Sequence, residues 1–273
     1  MNKHIDGVEF TIFDTETTGL FSQSGDRIVE IAALKVKGDK EISKFQSLVN
    51  PGRLISPGAF EVNRITQEML EDAPAMERII PDFLGFIQDS VLATYNAPFD
   101  LGFLNNELKL CGHESLDGVL VIDILQMARR LLPGLERHAL WFVAESLGIR
   151  IKQEHRAFSD VILSWEVFKK LKDLLKAKKI HDFSNVSSLF GINAYFLDDL
   201  NNQKITQIQQ AIDLGVKLKI RYLAGVDASV SCREVIPKEI RRDRERSYLV
   251  GYCCLRNDER TFRIDGILHI EIV

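Results

Sequence analysis

The stretch Val8-Glu9-Phe10-Thr11-Ile12-Phe13-Asp14-Thr15-Glu16-Thr17-Thr18-Gly19-Leu20 decides how the rest of the chain is read. Its β-branched and aromatic run predicts a buried strand. The strand ends in two carboxylates two residues apart. Alternate strand residues share a face, so Asp14 and Glu16 should point the same way. Like charges held side by side need a cation or a proton to neutralise them. A hard divalent cation with oxygen ligands, Mg²⁺ or Mn²⁺, does this well. Asp-x-Glu alone reads more readily as a strand end carrying two solvated acids, and it is the downstream sequence that overturns that reading.

Working outward, a polar loop from Phe21 to Arg27 leads to apolar runs at Ile28–Val36 and Ile42–Val49, with a Gly38-Asp39 turn between them. Three strands in a row predict a meander with an antiparallel component. Thr66 is placed to cap a short helix over Glu68–Glu71. Helical periodicity follows over Met76–Ile87, a short strand over Val91–Thr94, and a helix opened by Pro98. A strand at Val119–Ile122 precedes helices at Ile124–Leu131, His138–Leu147 and Phe158–Leu175. A meander followed by alternating helices and strands is an α/β layer fold. From Ile205 the pattern changes to a short helix over Ile205–Leu214 and five short strand-like runs, which predict a small, strongly bent sheet or barrel. Residues 179–204, broken by Gly191, Asn193, Asn201 and Asn202, read as a linker. Within it, Val186-Ser187-Ser188-Leu189-Phe190 reads as an apolar anchor.

The chain has 273 residues, 35 Lys+Arg and 39 Asp+Glu, for a net charge of −4. That length suits two domains. The mild acidity means that any nucleic-acid contact must come from local basic surface. The four cysteines lack CxxC spacing, so neither a zinc knuckle nor a disulfide framework is indicated. No apolar run reaches the roughly 20 residues of a membrane span, and no signal-peptide core is visible. A cytoplasmic location with no membrane partner is expected.

Three motifs, the opening stretch included, stand at strand ends and helix starts. They are Tyr95-Asn96-Ala97-Pro98-Phe99-Asp100, His155-Arg156-Ala157-Phe158-Ser159-Asp160, and the first stretch itself. In their order and spacing they resemble the motifs of the DEDDh exonucleases, the group that includes the proofreading epsilon subunit of bacterial DNA polymerase III. The resemblance covers roughly Gly7 to Lys178. It implies a ribonuclease H-like mixed sheet with flanking helices and 3′→5′ hydrolysis of nucleic acid. Two divalent metal ions, Mg²⁺ or Mn²⁺, are implied, held by Asp14, Glu16, Asp100 and Asp160, with His155 as general base. The chemistry agrees. A phosphodiester is anionic with a poor leaving group, and a metal pair can bind the phosphate, activate water and stabilise the departing oxygen. A histidine can take a proton near neutral pH. By the same resemblance Thr15, Thr17, Thr18, Leu20, Asn63, Tyr95, Asn96 and Phe99 contact the 3′-terminal nucleotide. Tyr95 stands where the family often has His, and Asn63-Arg64 where epsilon-like members often have His-Gly.

The C-terminal run resembles a WYL domain, a small β-rich, Sm/SH3-like barrel module. Ser247-Tyr248-Leu249 aligns with the namesake tripeptide. Ile220-Arg221-Tyr222, Arg233-Glu234-Val235-Ile236-Pro237 and Thr261-Phe262-Arg263-Ile264-Asp265-Gly266-Ile267 fall in the expected order. Arg and aromatic side chains can clamp phosphates and stack bases, which makes Tyr222, Arg233, Tyr248, Arg260 and Arg263 the candidate ligand contacts. The domains expected are 1–178 for the exonuclease, 179–204 for the linker and 205–273 for the WYL-like domain. The function expected is a 3′→5′ exonuclease on DNA releasing nucleoside 5′-monophosphates. The same chemistry on RNA or very short oligonucleotides, and an accessory proofreading or nucleic-acid sensor subunit, remain open. Partners would be single-stranded DNA or RNA 3′ ends and a polymerase or repair complex.

Overall fold

The computed structural model describes residues 3–192, 195–243 and 246–273. Asn193 lies outside the described residues. The opening run forms β1 (Glu9–Thr17), followed by β2 (Ile28–Lys37) and β3 (Lys40–Leu48) as an antiparallel meander. Gly38 makes the tight β2–β3 turn at φ +60°, a conformation that costs glycine little. Next come α1 (Pro57–Asn63), α2 (Gln67–Glu71) and α3 (Met76–Ile87). The Thr66 hydroxyl caps α2 by accepting from the Met69 amide. Strand β4 (Val91–Thr94) then pairs parallel to β1. Helix α4 (Ala97–Leu110) leads to β5 (Val121–Asp123), parallel to β4. Helices α5 (Ile124–Leu131), α6 (Leu140–Ser146) and α7 (Ala157–Ala177) follow.

The fold is a mixed six-stranded sheet with flanking helices, in the order β3-β2-β1-β4-β5-β6. That order puts β1 inside the sheet. Its carboxylates emerge where β4, its parallel neighbour, also ends, the usual position for a site in such sheets. Helix α7 packs across β1 and β2, with Val161, Val167, Phe168 and Leu171 buried against Phe10 and Ile12. The rings of Phe10 and Phe168 meet edge to face at 5.1 Å. A second core on the opposite side joins Phe13, Ile31 and Val49 to α3 and α4 through Ile80, Phe83, Leu101 and Leu104.

The stretch expected as a linker, 179–204, carries regular structure. It contains α8 (Phe183–Phe190), the two-residue strand β6 (Gly191–Ile192) paired with β5, and the start of α9 (Tyr195–Leu214). Val186, Leu189 and Phe190 are buried in the first core, so the apolar anchor is a helix of that core. The helix expected from Ile205 is the second half of the 20-residue α9.

Strands β7 (Leu218–Leu223), β8 (Val230–Asp243), β9 (Arg246–Cys253), β10 (Asp258–Arg263) and β11 (Ile267–Ile272) form a second, antiparallel sheet in the order β10-β9-β8-β7-β11. Its core, which includes Ile220, Val235, Leu249 and Ile264, is closed by Ile208 and Ala211 of α9. The sheet also docks on the first lobe. Leu223 and Leu268 join the first core, and the Arg221 guanidinium donates to the Lys178 and Lys179 carbonyls, each at 2.8 Å.

Candidate active site

β1 delivers Asp14 and Glu16 to one face, and the first turn of α7 brings Asp160 beside them. One carboxylate oxygen from each lies within 4.8 Å of the others, the single such metal-ligating group among the described residues. Burial, reinforced by the charges of Asp100, Glu16 and Asp160, raises the Asp14 carboxyl well above the usual carboxylate range. Burial first, then the charges of Asp160, Glu30 and Asp100, pushes Glu16 up to about 8. Asp160 is also raised by burial. It accepts from the Gln153 amide at 2.7 Å through Oδ2, while its Oδ1 is buried without any donor. Clustered carboxylates that resist ionisation, one with an orphaned buried oxygen, are a donor set that fits a hard divalent cation.

Asp100 sits apart from these three. It projects from the first turn of α4, and its Oδ1 accepts from the Thr15 amide at 3.0 Å and the Thr15 hydroxyl at 2.8 Å. Its Oδ2 accepts from the Thr94 hydroxyl at 3.0 Å. Burial lifts it to about 7, and those three donors work against the rise. It is thus fixed in orientation and close enough to raise Asp14 electrostatically.

His155 lies just before α7, with φ +53° and its side chain 46 % exposed. Its Nδ1 is 4.0 Å from Asp160 Oδ2. An exposed ring beside the carboxylates can reach a water held among them and pass the proton to solvent.

Beside Glu16 opens a cleft of about 560 Å³, lined by Thr15, Thr17, Leu20, Asn63 and Phe99 of the expected nucleotide contacts. Phe21, Ser56 and Val62 line it too. Thr18 is buried beneath the cleft and donates to Asp26. Tyr95 turns away, its hydroxyl donating to the His138 carbonyl at 2.7 Å. Asn96 is the left-handed residue, φ +72°, that starts α4. Neither of the last two is among the cleft residues.

Residues the sequence reading passed over hold this site together. Glu16 faces Glu30 directly across the β1–β2 ladder, an unfavourable like-charge pair. Glu30 is fully buried, accepts two hydrogen bonds from Arg156 and one from the Ala157 amide, and has its carboxyl lowered by these donors despite burial. One glutamate inside the apolar run Ile28–Leu34 was the available signal. Ser56 and Val62 belong to or cap α1, whose Pro57-Gly58 start reads as a turn.

Of the second-domain candidates, Tyr222, Tyr248 and Arg263 come together. Tyr248 is the cross-strand partner of Arg263, whose backbone amide donates to the Tyr222 hydroxyl. The Arg263 guanidinium is already engaged, bidentate, by Asp265. Arg233 lies elsewhere, in a shallow depression with Lys219, Cys232 and Cys254, and Arg260 is paired at the surface with Asp258.

A family model described as Exonuclease (RNase_T) matches residues 11–168, and a WYL domain model matches residues 203–272. The DNA polymerase III subunit epsilon of Treponema pallidum is 41 % identical over 163 residues, covering 59 % of this chain and 75 % of that protein. A PolC-type DNA polymerase III of Oceanobacillus iheyensis is 35 % identical over 184 residues, covering 67 % of this chain and 13 % of that protein. The chain thus spans only a small part of the PolC-type polymerases it matches. Among solved structures, Exonuclease X in complex with 5′ overhanging duplex DNA superimposes with a TM-score of 0.50 and 28 % identity, covering 62 % of this chain and 92 % of that one. No helix among the described residues is long and apolar enough to cross a membrane.

Proposed function

Because this chain belongs to the exonuclease family, we propose that it is a metal-dependent 3′→5′ exonuclease of the DEDDh type, acting on single-stranded DNA and releasing nucleoside 5′-monophosphates. The observation that carries the reading is the convergence of Asp14, Glu16 and Asp160 within 4.8 Å, with His155 at their rim. When bound there, a pair of Mg²⁺ or Mn²⁺ ions supplies charge neutralisation for the scissile phosphate and acidifies the attacking water. Asp14, Glu16 and Asp160 would hold those ions, and Asp100 would complete the set from its Thr15 and Thr94 cradle. His155 accepts the proton of the water. Leu20, Asn63 and Phe99 position the terminal nucleotide in the cleft, with the floor held by Thr17 and Thr18.

The WYL-like unit belongs to the same proposal as a nucleic-acid or anionic-ligand module with an Sm/SH3-like barrel. A polymerase or repair complex is its proposed setting, and the cytoplasm its proposed location. We place the nuclease unit at 1–178 with α8 and β6 added to it, and the WYL-like unit from 205. DNA and RNA are separated by one comparison. Matched single strands carrying a 5′ label are digested, and the released product is identified. Stepwise shortening of the DNA strand with nucleoside 5′-monophosphate release supports the reading, preference for the RNA strand moves it to an exoribonuclease, and internal cuts overturn it.

A further inference from the structure

A second concavity, of about 640 Å³, opens on the other side of His155. Its walls include Trp141, Arg150, Ile151, Lys152 and Gln153 as well as His155 itself. Trp141, in the first turn of α6, is 44 % exposed and Ile151 42 % exposed. The indole and the Phe142 ring meet edge to face, 5.4 Å between centroids, and less than half of the residue reaches solvent. Arg150 and Lys152 are both exposed on the irregular segment that runs from Gly148 to His155. Glu145 is the one carboxylate lining the concavity. Gln153 connects this wall to the metal-binding carboxylates through its bond to Asp160.

An exposed indole flanked by two cations is the pairing that holds single-stranded nucleic acid. The ring stacks a base of any identity, and the cations follow the phosphates. The exposed part of the indole, 44 % of the residue, offers a ring face that a stacked base would cover. The surface is continuous with the catalytic cluster through His155 and Gln153. It lies apart from the terminal-nucleotide cleft, whose lining it does not share.

We infer that the Trp141–Arg150–Lys152 surface binds the single strand upstream of the residue being removed, with a base on Trp141 and backbone phosphates on Arg150 and Lys152. This rests on the exonuclease reading for the direction of the strand, but strand binding there is measurable without catalysis. Sequence-independent grip on the body of the strand would let the enzyme favour long single strands over very short oligonucleotides.

The test uses the full chain with Ca²⁺ present and two fluorescein-labelled ligands, a dodecathymidylate and a trithymidylate, read by anisotropy. Trp141→Ala should weaken dodecamer binding roughly tenfold and leave trimer binding unchanged, and Trp141→Phe should restore most of it. The Arg150→Ala/Lys152→Ala double variant should flatten the salt dependence of dodecamer binding by about 1.4 in log–log slope. The chain has two tryptophans. In a Trp165→Phe background Trp141 reports alone, and the dodecamer should quench it. Wild-type affinity in both variants at low and high salt, or no quenching, overturns the inference. A chain that binds as described yet never shortens the strand in Mg²⁺ leaves this surface standing and removes the catalytic reading. A chain that shortens the strand equally well in all variants does the reverse.

Discussion

Arg156 and Glu30, 126 residues apart in sequence, are joined by two parallel hydrogen bonds of 2.9 Å. The pair ties the segment before α7, which carries His155, to the strand opposite Glu16. Glu30 is one of the charges that raise Glu16, and Arg156 holds Glu30 ionised and offsets part of that charge. Glu30→Ala should therefore cost about 1–3 kcal/mol, because it leaves the Ala157 amide and the Gln46 side-chain amide without their buried acceptor, while the partly exposed Arg156 guanidinium is resolvated. Arg156→Lys, which cannot make the parallel pair, should be milder in stability and still lower kcat. Chemical denaturation with the matching rate measurements checks both. Because the Glu30 carboxyl is lowered on folding, its contribution is present above its unfolded value of 4.5 and is lost as pH falls below it.

The carboxylate cluster has the opposite sign. Glu16 rises from 4.5 unfolded to about 8 folded, so the folded protein keeps a proton that the unfolded chain gives up. Without divalent ions, this group's contribution is present below pH 4.5 and is lost as pH rises through about 8. A cation replaces the protons, so the gain in Tm from Mn²⁺ should be larger near pH 8.5 than near pH 6. Thermal scans at the two pH values test this, and a gain independent of pH would contradict it. Glu16→Gln should raise the metal-free Tm at the higher pH and shrink the Mn²⁺ response.

His155 is held loosely, at 4.0 Å from Asp160 and with a left-handed backbone. His155→Ala should lower kcat by roughly 10²–10⁴ with little change in the Mn²⁺-induced Tm gain. The pH–rate profile should lose one ionisation. An unchanged profile would remove the histidine from proton transfer.

Arg64 closes α1 in the left-handed region, φ +57°. Its side chain makes an exposed pair with Glu61 at 3.0 Å and lies over the Phe60 ring. A residue with a Cβ pays roughly 1–2 kcal/mol for that backbone and glycine does not. Arg64→Gly should therefore stabilise the protein by about 1 kcal/mol without harming activity. A phosphate contact at Arg64 would show instead as a raised KM.

Much of this was legible in the chain because its signals are local. The run from Val8 to Leu20 places both carboxylates on one strand, Thr66 caps α2, and the bounds read for α3 and β4, Met76–Ile87 and Val91–Thr94, are those observed. What was not legible depends on contacts distant in sequence. Residues 183–192 look like a broken linker until Phe190 is buried in the first core and β6 pairs with β5. Helix α1 hides behind Pro57-Gly58, whose turn character is outweighed by the Ser56 hydroxyl accepting from the Ala59 amide at 3.2 Å. Tyr95 follows β4 in the motif order of a nucleotide contact, yet its hydroxyl is bonded to a backbone carbonyl from the segment after α5. Arg263 reads either as a phosphate ligand or as a partner of Asp265 or Glu259, and Asp265 engages its Nε and one Nη.

Asp14, Glu16 and Asp160 are proposed to hold the divalent cations for hydrolysis from the 3′ end. The most direct measurement follows a 5′-labelled single strand with the full chain in Mg²⁺, in EDTA, and in Mg²⁺ with Asp14→Asn. A descending ladder of shortened strands is expected in Mg²⁺ alone. EDTA should give no shortening, and the variant should lose most of the rate while keeping a folded far-UV spectrum. Undiminished shortening in EDTA or by Asp14→Asn would contradict it.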